Sequence, residues 1–334
     1  MKYLFELSKE HPAIPKAEIV SCLKAEKINY NILEENNDIL LLDIKNDQKI
    51  NRVAERLSFT FFINDFLFSS STDVDDLSNT ALKHTINQKG SIAIRYKNRS
   101  KSVDSKRIVK TLAKIYTKNR KVDLINPDIE IRALITEEKI YVGCKKYEIN
   151  RSQFEIRKVQ YRPFFSPISL HPKIARALVN LSCIKKGEVL LDPFCGTGGI
   201  LLEAGILGVN VIGSDIKDSM VEGCKKTLEH YKIKNFSVFC LDIENIGAFV
   251  KNVDCVVTDF PYAKSTTTKG EDLENLCLRS FKSISKIVKK DGRVVVGLHD
   301  FNLLSIGKKY LDSDCIYEIP VHKSLTRFFA VFIK

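Results

Sequence analysis

Leu190–Asp215, LLDPFCGTGGILLEAGILGVNVIGSD, is the stretch whose reading decides the fold. Val189, Leu190 and Leu191 form a short apolar run that ends on Asp192. A turn carrying Gly196, Gly198 and Gly199 follows at once. Ile200 to Leu207 has the apolar pattern of a helix, Val209 to Gly213 is a second apolar run, and Asp215 closes it. Strand, glycine turn, helix, strand and acid in that order open a nucleotide-type binding fold. The glycines read G-T-G-G rather than G-x-G-x-x-G, so the layout for a pyrophosphate is missing. The spacing points instead to a nucleoside cofactor without a diphosphate.

Downstream of this unit, strands and helices alternate. The strands are predicted at Val189–Leu191, Val209–Gly213, Phe236–Leu241, Val253–Thr258, Arg293–Leu298, Ile316–Ile319 and Phe328–Ile333. That pattern predicts a doubly wound, mostly parallel α/β sheet of seven strands over residues 166–334. Upstream the elements are short and mixed. Residues 1–68 read as an α+β ferredoxin-like domain, with strands near Tyr3–Leu7, Ile28–Leu33, Ile39–Ile44 and Phe59–Ile63 and helices near Ile14–Leu23 and Ile50–Leu57. Ser69-Ser70-Ser71, followed by Asp73, Asp75 and Asp76, reads as a turn into a second small unit, 69–147. There Asp104 is placed to cap a helix running to about Thr117, and Ile129–Ile135 and Lys139–Cys144 form a hairpin. The polar stretch 148–165 reads as an interdomain linker.

The chain has 334 residues, enough for two or three domains, and a net charge of +12 that is unevenly placed. Residues 1–94 carry 11 Lys+Arg against 14 Asp+Glu, residues 95–162 carry 19 against 8, and residues 163–334 carry 23 against 19. The middle segment therefore holds nearly all of the excess, and such a concentration attracts a phosphate backbone through counterion release. Arg95, Lys97, Arg99, Lys106, Arg107, Lys110 and Lys114 are the candidate RNA contacts in it, with Lys264 a further one beside the chemistry. Nine cysteines stand far apart with no C-x-x-C pair, and six histidines do not cluster, so no metal site is expected. Apolar runs are too short to span a bilayer, and the N-terminus lacks the long apolar region of a signal peptide. A cytoplasmic protein with reduced thiols is expected.

In a parallel sheet, ligands bind beyond the carboxyl ends of the strands. Asp192, Asp215, Asp242 and Asp259 stand at four such ends. Asp215, after the second strand, suits both hydroxyls of a ribose, and Asp242, after the third, an adenine edge. Thr258-Asp259-Phe260-Pro261-Tyr262 ends the fourth strand. A carboxylate and a backbone carbonyl there can accept the two N–H bonds of an exocyclic amine, and Tyr262 can stack on its base.

Asp192-Pro193-Phe194-Cys195-Gly196-Thr197-Gly198-Gly199 resembles the cofactor loop of class I S-adenosylmethionine-dependent methyltransferases. Phe164-Phe165-Ser166-Pro167-Ile168-Ser169-Leu170-His171-Pro172 precedes it as in RNA methyltransferases with a THUMP domain, and residues 91–145 resemble that domain. The order of parts, over nearly the whole chain, is similar to that of the archaeal tRNA (guanine-N2) methyltransferases acting on the guanosine at tRNA position 10. The resemblance implies S-adenosylmethionine as cofactor and tRNA as partner, and leaves open a small activating subunit. It places the cofactor at His171, Asp192, Phe194, Cys195, Gly196, Thr197, Gly198, Gly199, Asp215, Ile216, Asp242 and Ile243. Asp259, Phe260, Pro261 and Tyr262 become the catalytic turn, where Phe260 departs from the usual D/N-P-P-Y/F and gives up the fixed φ of proline.

Three readings follow: N2 methylation of a tRNA guanosine; the same chemistry on another tRNA or rRNA guanine, or on adenine N6; and an RNA-binding protein silenced by Phe260. Smaller alternatives stay open as well. His171 either caps a helix or lies over the cofactor's methionine end. Cys195 reads as a small residue permitting close cofactor approach rather than as a nucleophile. Lys264, Ser265 and Thr266, like His322, Lys323 and Ser324, either touch RNA or form polar loops.

Overall fold

The computed structural model describes residues 1–166, 169–261, 271–322 and 325–334, without the side chains of residues 321, 322 and 325. Tyr262, Lys264, Ser265, Thr266, Pro167, Ile168, Lys323 and Ser324 lie outside the described residues. The chain divides into two compact units, each carrying a seven-stranded sheet among the described residues.

The first unit comprises residues 1–12, 28–55 and 60–150. In chain order its elements are β1 (Lys2–Leu7), β2 (Tyr30–Glu35), β3 (Ile39–Ile44), β4 (Thr60–Ser71), α3 (Val74–Leu82), β5 (Ile92–Asn98), α4 (Ser105–Tyr116), β6 (Ile129–Ile135) and β7 (Lys139–Glu148). Helix α2 (Ile50–Arg56) precedes β4, and α1 (Ile14–Ala25) belongs to the other unit. The strand order β2-β3-β1-β4-β7-β6-β5 makes one sheet of the regions read as two domains. The boundary expected at 68/69 falls inside β4, so the serine run is strand rather than turn. Ser69, Ser70 and Ser71 pair with Tyr141, Ile140 and Lys139, and the ladder satisfies their backbone groups whatever their side chains prefer. Asp104 caps α4 through the Lys106 amide (2.9 Å), and Ile108, Leu112 and Tyr116 bury its apolar face.

The second unit comprises residues 13–27, 56–59 and 151–334. After α1 it contains the single turn α5 (Ser152–Glu155), α6 (Pro172–Leu181), β8 (Val189–Asp192), α7 (Gly199–Ile206), β9 (Asn210–Asp215), α8 (Asp218–His230), β10 (Phe236–Cys240), α9 (Ile246–Phe249), β11 (Val253–Asp259), α10 (Leu273–Ile287), β12 (Val288–Leu298), α11 (Leu304–Gly307), β13 (Asp312–His322) and β14 (Leu325–Ile333). Strand order is β10-β9-β8-β11-β12-β14-β13, parallel except that β14 runs antiparallel to both β12 and β13. Sequence order reverses between β8 and β11, and ligands of such sheets gather outside that switch point. Helices cover both faces. Leu273, Leu276, Cys277, Phe281, Ile284 and Ile287 of α10 repeat at helical spacing and are buried against one side of the sheet.

Two departures from the expected domain plan have electrostatic causes. Glu18 of α1 is fully buried, and it accepts from the Ser58 and Phe59 amides (3.0 and 2.9 Å) and from Asn180 Nδ2 of α6 (2.9 Å). Those bonds hold α1 in the second unit. The stretch 148–165, expected to be a linker, is built into the same unit from residue 151 onward. Phe154 is fully buried, and Arg157 donates to both oxygens of Glu203 in α7 at 2.8 and 3.0 Å. Arg176 of α6 reaches the same carboxylate at 2.9 Å. Glu203 thus holds two buried guanidinium groups directly behind the glycine turn. Removing one partner of such a cluster leaves charge uncompensated in a low dielectric and costs about 3–5 kcal/mol. Glu203→Ala is therefore expected to lower the thermal midpoint steeply, whereas an unchanged Tm would show that the cluster does not hold the unit together.

Candidate active site

The carboxyl ends of β8, β9 and β11 surround a cavity of about 320 Å³. Each expected acid is held there by its own local geometry. Asp192 ends β8 and is buried; it accepts from the Thr258 hydroxyl of β11 at 2.6 Å and from the Phe194 amide at 3.2 Å. Burial pushes its carboxyl up to about 7, with the charges of Asp259 and Asp215 adding to the effect. Asp215 ends β9, and its two oxygens accept from the Lys217 amide (2.9 Å) and the Gly196 amide (3.1 Å). Burial raises its carboxyl as well. That bond to Gly196 fixes the glycine turn against the second strand.

The turn itself requires glycine. Gly196 has φ +49 with nothing within 4 Å of where a Cβ would lie, and Gly198 has φ +81 with the Cys224 sulfur 2.7 Å from that point. The space beside Gly196 is an open cradle facing the cavity, and Leu241, Ile216 and Ile243 give apolar walls that suit a flat base. Carboxylate, cradle and apolar slot together fit the nucleoside part of S-adenosylmethionine.

Of the residues expected to hold the cofactor, Asp192, Phe194, Cys195, Gly196, Thr197, Gly199, Asp215, Ile216, Asp242 and Ile243 line this cavity. Two do not. Gly198 stands behind the turn at the start of α7. His171 caps α6, its Nδ1 accepting from the Lys173 amide at 3.1 Å while Nε2 faces Glu155 at 3.2 Å. Burial lowers its pKa, and a neutral ring is what this cap needs as acceptor. Cys195 is buried, and its thiol is raised well above the usual range by its contact with Cys224 and by burial, so it remains protonated and unreactive.

Asp242 meets the cavity with a partner that sequence reading missed. Arg279 of α10 donates to Asp242 and, at 2.8 and 2.7 Å, to both oxygens of Glu271. Glu271 and Arg279 line the cavity with it. Arg279 carries no motif, and only the packing of α10 brings it to Asp242.

At the turn expected to be catalytic, Asp259 and Pro261 line the cavity, and so does Phe260, although its ring is buried. That ring packs between Phe194 (centroids 5.0 Å apart) and Phe281 (5.6 Å). Its amide donates to the Gly297 carbonyl at 2.9 Å, extending the β11–β12 ladder one residue past Asp259. Proline has no N–H to make this bond. The backbone order lost with proline's ring is thus restored by a ladder bond and an aromatic anchor.

Asp259 lies across β12, where Gly297 occupies the adjoining register position. A Cβ at 297 would stand 2.3 Å from Asp259 Oδ1 and 2.9 Å from Phe329 of β14. The absent side chain is what allows the carboxylate to lie there. Its Oδ2 is 3.9 Å from Arg327 Nη2.

In the first unit, Lys97 is exposed, as are Lys106, Arg107, Lys110 and Lys114 along one helix. Arg95 is exposed too, with its guanidinium donating to the Leu124 carbonyl. Arg99 is not a surface cation. It pairs with Asp38 (2.7 Å), donates to the Leu7 carbonyl (2.6 Å), and holds β1 and the β2–β3 turn to the end of β5. Among the described residues no group of metal-ligating side chains occurs, and no helix is long and apolar enough to cross a membrane.

Residues 159–327 match the RMKL-like, methyltransferase domain family, and residues 24–226 match a family described as DNA methylase. The tRNA (guanine(10)-N2)-dimethyltransferase of Methanothermobacter thermautotrophicus is 34% identical over 332 residues, covering 98% of both chains. Proteins of the same description from Methanocaldococcus jannaschii (30% identical, 99% of both chains) and Pyrococcus abyssi (33%, 96% of both) are also similar. Among solved structures, TrmN from Thermus thermophilus covers the full length of both chains with a TM-score of 0.59 at 17% identity, a likeness of fold. Matched across nearly its whole length by relatives of one description, the chain belongs to the family of the tRNA (guanine(10)-N2)-dimethyltransferases.

Proposed function

We propose that the protein transfers methyl groups from S-adenosylmethionine to the exocyclic N2 of a guanosine in tRNA, at position 10 as its relatives' descriptions state. The single observation that carries this reading is the common cavity onto which Asp215, in the cofactor half, and Asp259, in the amine half, both open. S-adenosylmethionine supplies a methyl group on a positively charged sulfur, already a strong electrophile, so positioning of the amine is the protein's main task.

Guanine N2 is a poor nucleophile because its lone pair is delocalised into the ring. Asp259 accepts one N–H and the Phe260 carbonyl accepts the other, which turns the lone pair out of conjugation and toward the methyl. The nitrogen–carbon bond forms as the carbon–sulfur bond breaks, and the surplus proton leaves N2 by way of the Asp259 carboxylate to solvent. After one round an N–H remains for Asp259, so a second transfer needs no new group. Tyr262 is assigned to stacking on the base, which must first leave its own stack to reach the turn. Asp215 takes the ribose hydroxyls and Asp242, steadied by Arg279, the adenine side. The exposed cations of α4 with Arg95 and Lys97 take tRNA phosphates, and the tRNA substrate of the protein's relatives supports a cytoplasmic place of work.

The test is methyl transfer by the chain alone to unmodified tRNA, followed by mass spectrometry of the nucleosides. N2-methylguanosine and N2,N2-dimethylguanosine are expected without any added protein; product only on addition of a second protein would establish an activating subunit. N6-methyladenosine would move the target, and cofactor binding without any product would support the silent RNA-binding reading. Asp259→Ala is expected to lower turnover by about 10²-fold or more while tRNA affinity holds. Gly297→Ala forces the same carboxylate aside and is expected to lower kcat to a similar degree with S-adenosylmethionine affinity retained; unchanged kcat would show that the position of Asp259 does not matter. Affinity for tRNA should fall as salt rises, and each phosphate contact removed by reversing Lys106, Arg107, Lys110 or Lys114 to Glu should flatten that dependence by about 0.7–0.9 in logarithmic slope. A slope that these changes leave intact would move the RNA surface elsewhere.

A further inference from the structure

We propose that Arg327 is a specificity-determining residue: its guanidinium donates to O6 of the target guanine while Asp259 receives the hydrogens of N2 and N1. The inference rests on the guanine-amine reading above and deepens it. The grip of the D-F-P-Y turn on an exocyclic amine is one that any amino base could satisfy, and it leaves O6 of guanine unread, so a group that reads O6 has to come from elsewhere.

The sheet supplies one. Asp259 of β11, Gly297 of β12 and Phe329 of β14 form one row of register partners, and Arg327 is two residues from Phe329 on the same face of β14. With no side chain at Gly297, the carboxylate lies across β12 toward that strand. Asp259 Oδ2 and Arg327 Nη2 stand 3.9 Å apart, with side chains only 16% and 13% exposed. That separation is beyond hydrogen-bond distance yet close enough for one flat molecule to meet both groups. The site thus presents acceptor, acceptor and donor in sequence.

Guanine's pairing edge carries the complement: the N2 amine, the N1 hydrogen, then the O6 acceptor. Adenine held by its N6 amine would offer an acceptor at N1, where the carboxylate needs a donor. Arginine is also the side chain best suited to a guanine carbonyl, since it stays charged and offers several donors in a plane. Losing the charge-assisted bond to O6 penalises a base that lacks that oxygen, and this is how strong discrimination arises.

The test uses tRNA assembled from synthetic fragments, with either guanine or 2-aminopurine at the nucleotide that the wild-type protein methylates. 2-Aminopurine keeps the amine at C2 but has no O6 and no N1 hydrogen. Methyl transfer to each is measured as kcat/KM for the wild type and for Arg327→Ala and Arg327→Gln. Wild type should prefer guanine, Arg327→Ala should cut the guanine to 2-aminopurine ratio about tenfold or more, and Arg327→Gln, which keeps a donor, should retain part of the preference. Because both substrates meet the same preparation, loss of folded protein cancels in the ratio. A ratio unchanged in Arg327→Ala, with both rates reduced alike, would overturn the inference and leave Arg327 a residue that only positions Asp259. Failure of the wild type to methylate guanosine at all would overturn the guanine-amine reading, and the inference with it.

Discussion

The hydroxyl of Thr258 donates to buried Asp192 at 2.6 Å, and the rest of the active site depends on this bond. It joins β8 to β11 across the place where the sheet reverses its strand order. The glycine turn leaves from Asp192 and the turn proposed to be catalytic from Asp259, next to Thr258, so one hydrogen bond fixes the origins of both. The carboxyl of Asp192 is pushed up to about 7 by burial and by two neighbouring carboxylates, and the hydroxyl and the Phe194 amide are what make an acid tolerable at that point. Parallel strands bring such groups together because every carboxyl end faces the same way. Asp215 then extends the pattern to β9 through the Gly196 amide.

The same geometry accounts for the departure at Phe260. Proline's value in this turn is a fixed φ, at the cost of an N–H. Here the N–H is kept and is bonded to Gly297, while the ring joins Phe194 and Phe281 in the core. Phe194 belongs to the cofactor loop, so the aromatic contact ties the two halves of the site a second time. Gly297 serves both, since its carbonyl anchors the turn and its missing side chain admits Asp259.

The parts legible in the sequence were those with a local signature. Apolar runs ending on Asp192, Asp215 and Asp259, and a turn that needs positive φ at Gly196 and Gly198, announce strand ends and a ligand loop without any tertiary knowledge. The capping role of Asp104 was legible for the same reason. What escaped was decided by partners far away in the chain. Ser69–Ser71 looked like a turn because its side chains are polar, but β7 pairs with its backbone. Residues 151–162 looked like a linker because they are charged, yet Arg157 is buried against Glu203. Arg99 counted as a surface cation until Asp38 and the Leu7 carbonyl enclosed it. Arg279, Glu271, Gly297 and Arg327 carry no motif, and only the fold brings them to the cavity or to Asp259. His171 had two open readings, and the hydrogen bond to the Lys173 amide makes it a cap.

A crystal structure with S-adenosylhomocysteine bound tests the central claim most directly, namely that the β8–β11 switch point unites a cofactor half and an amine half in one cavity. The account predicts the ribose hydroxyls on Asp215, the adenine between Ile216, Leu241 and Ile243, and the sulfur on the side of Asp259 and Phe260. A ligand that leaves Asp215 untouched, or whose sulfur points away from Asp259, would contradict it.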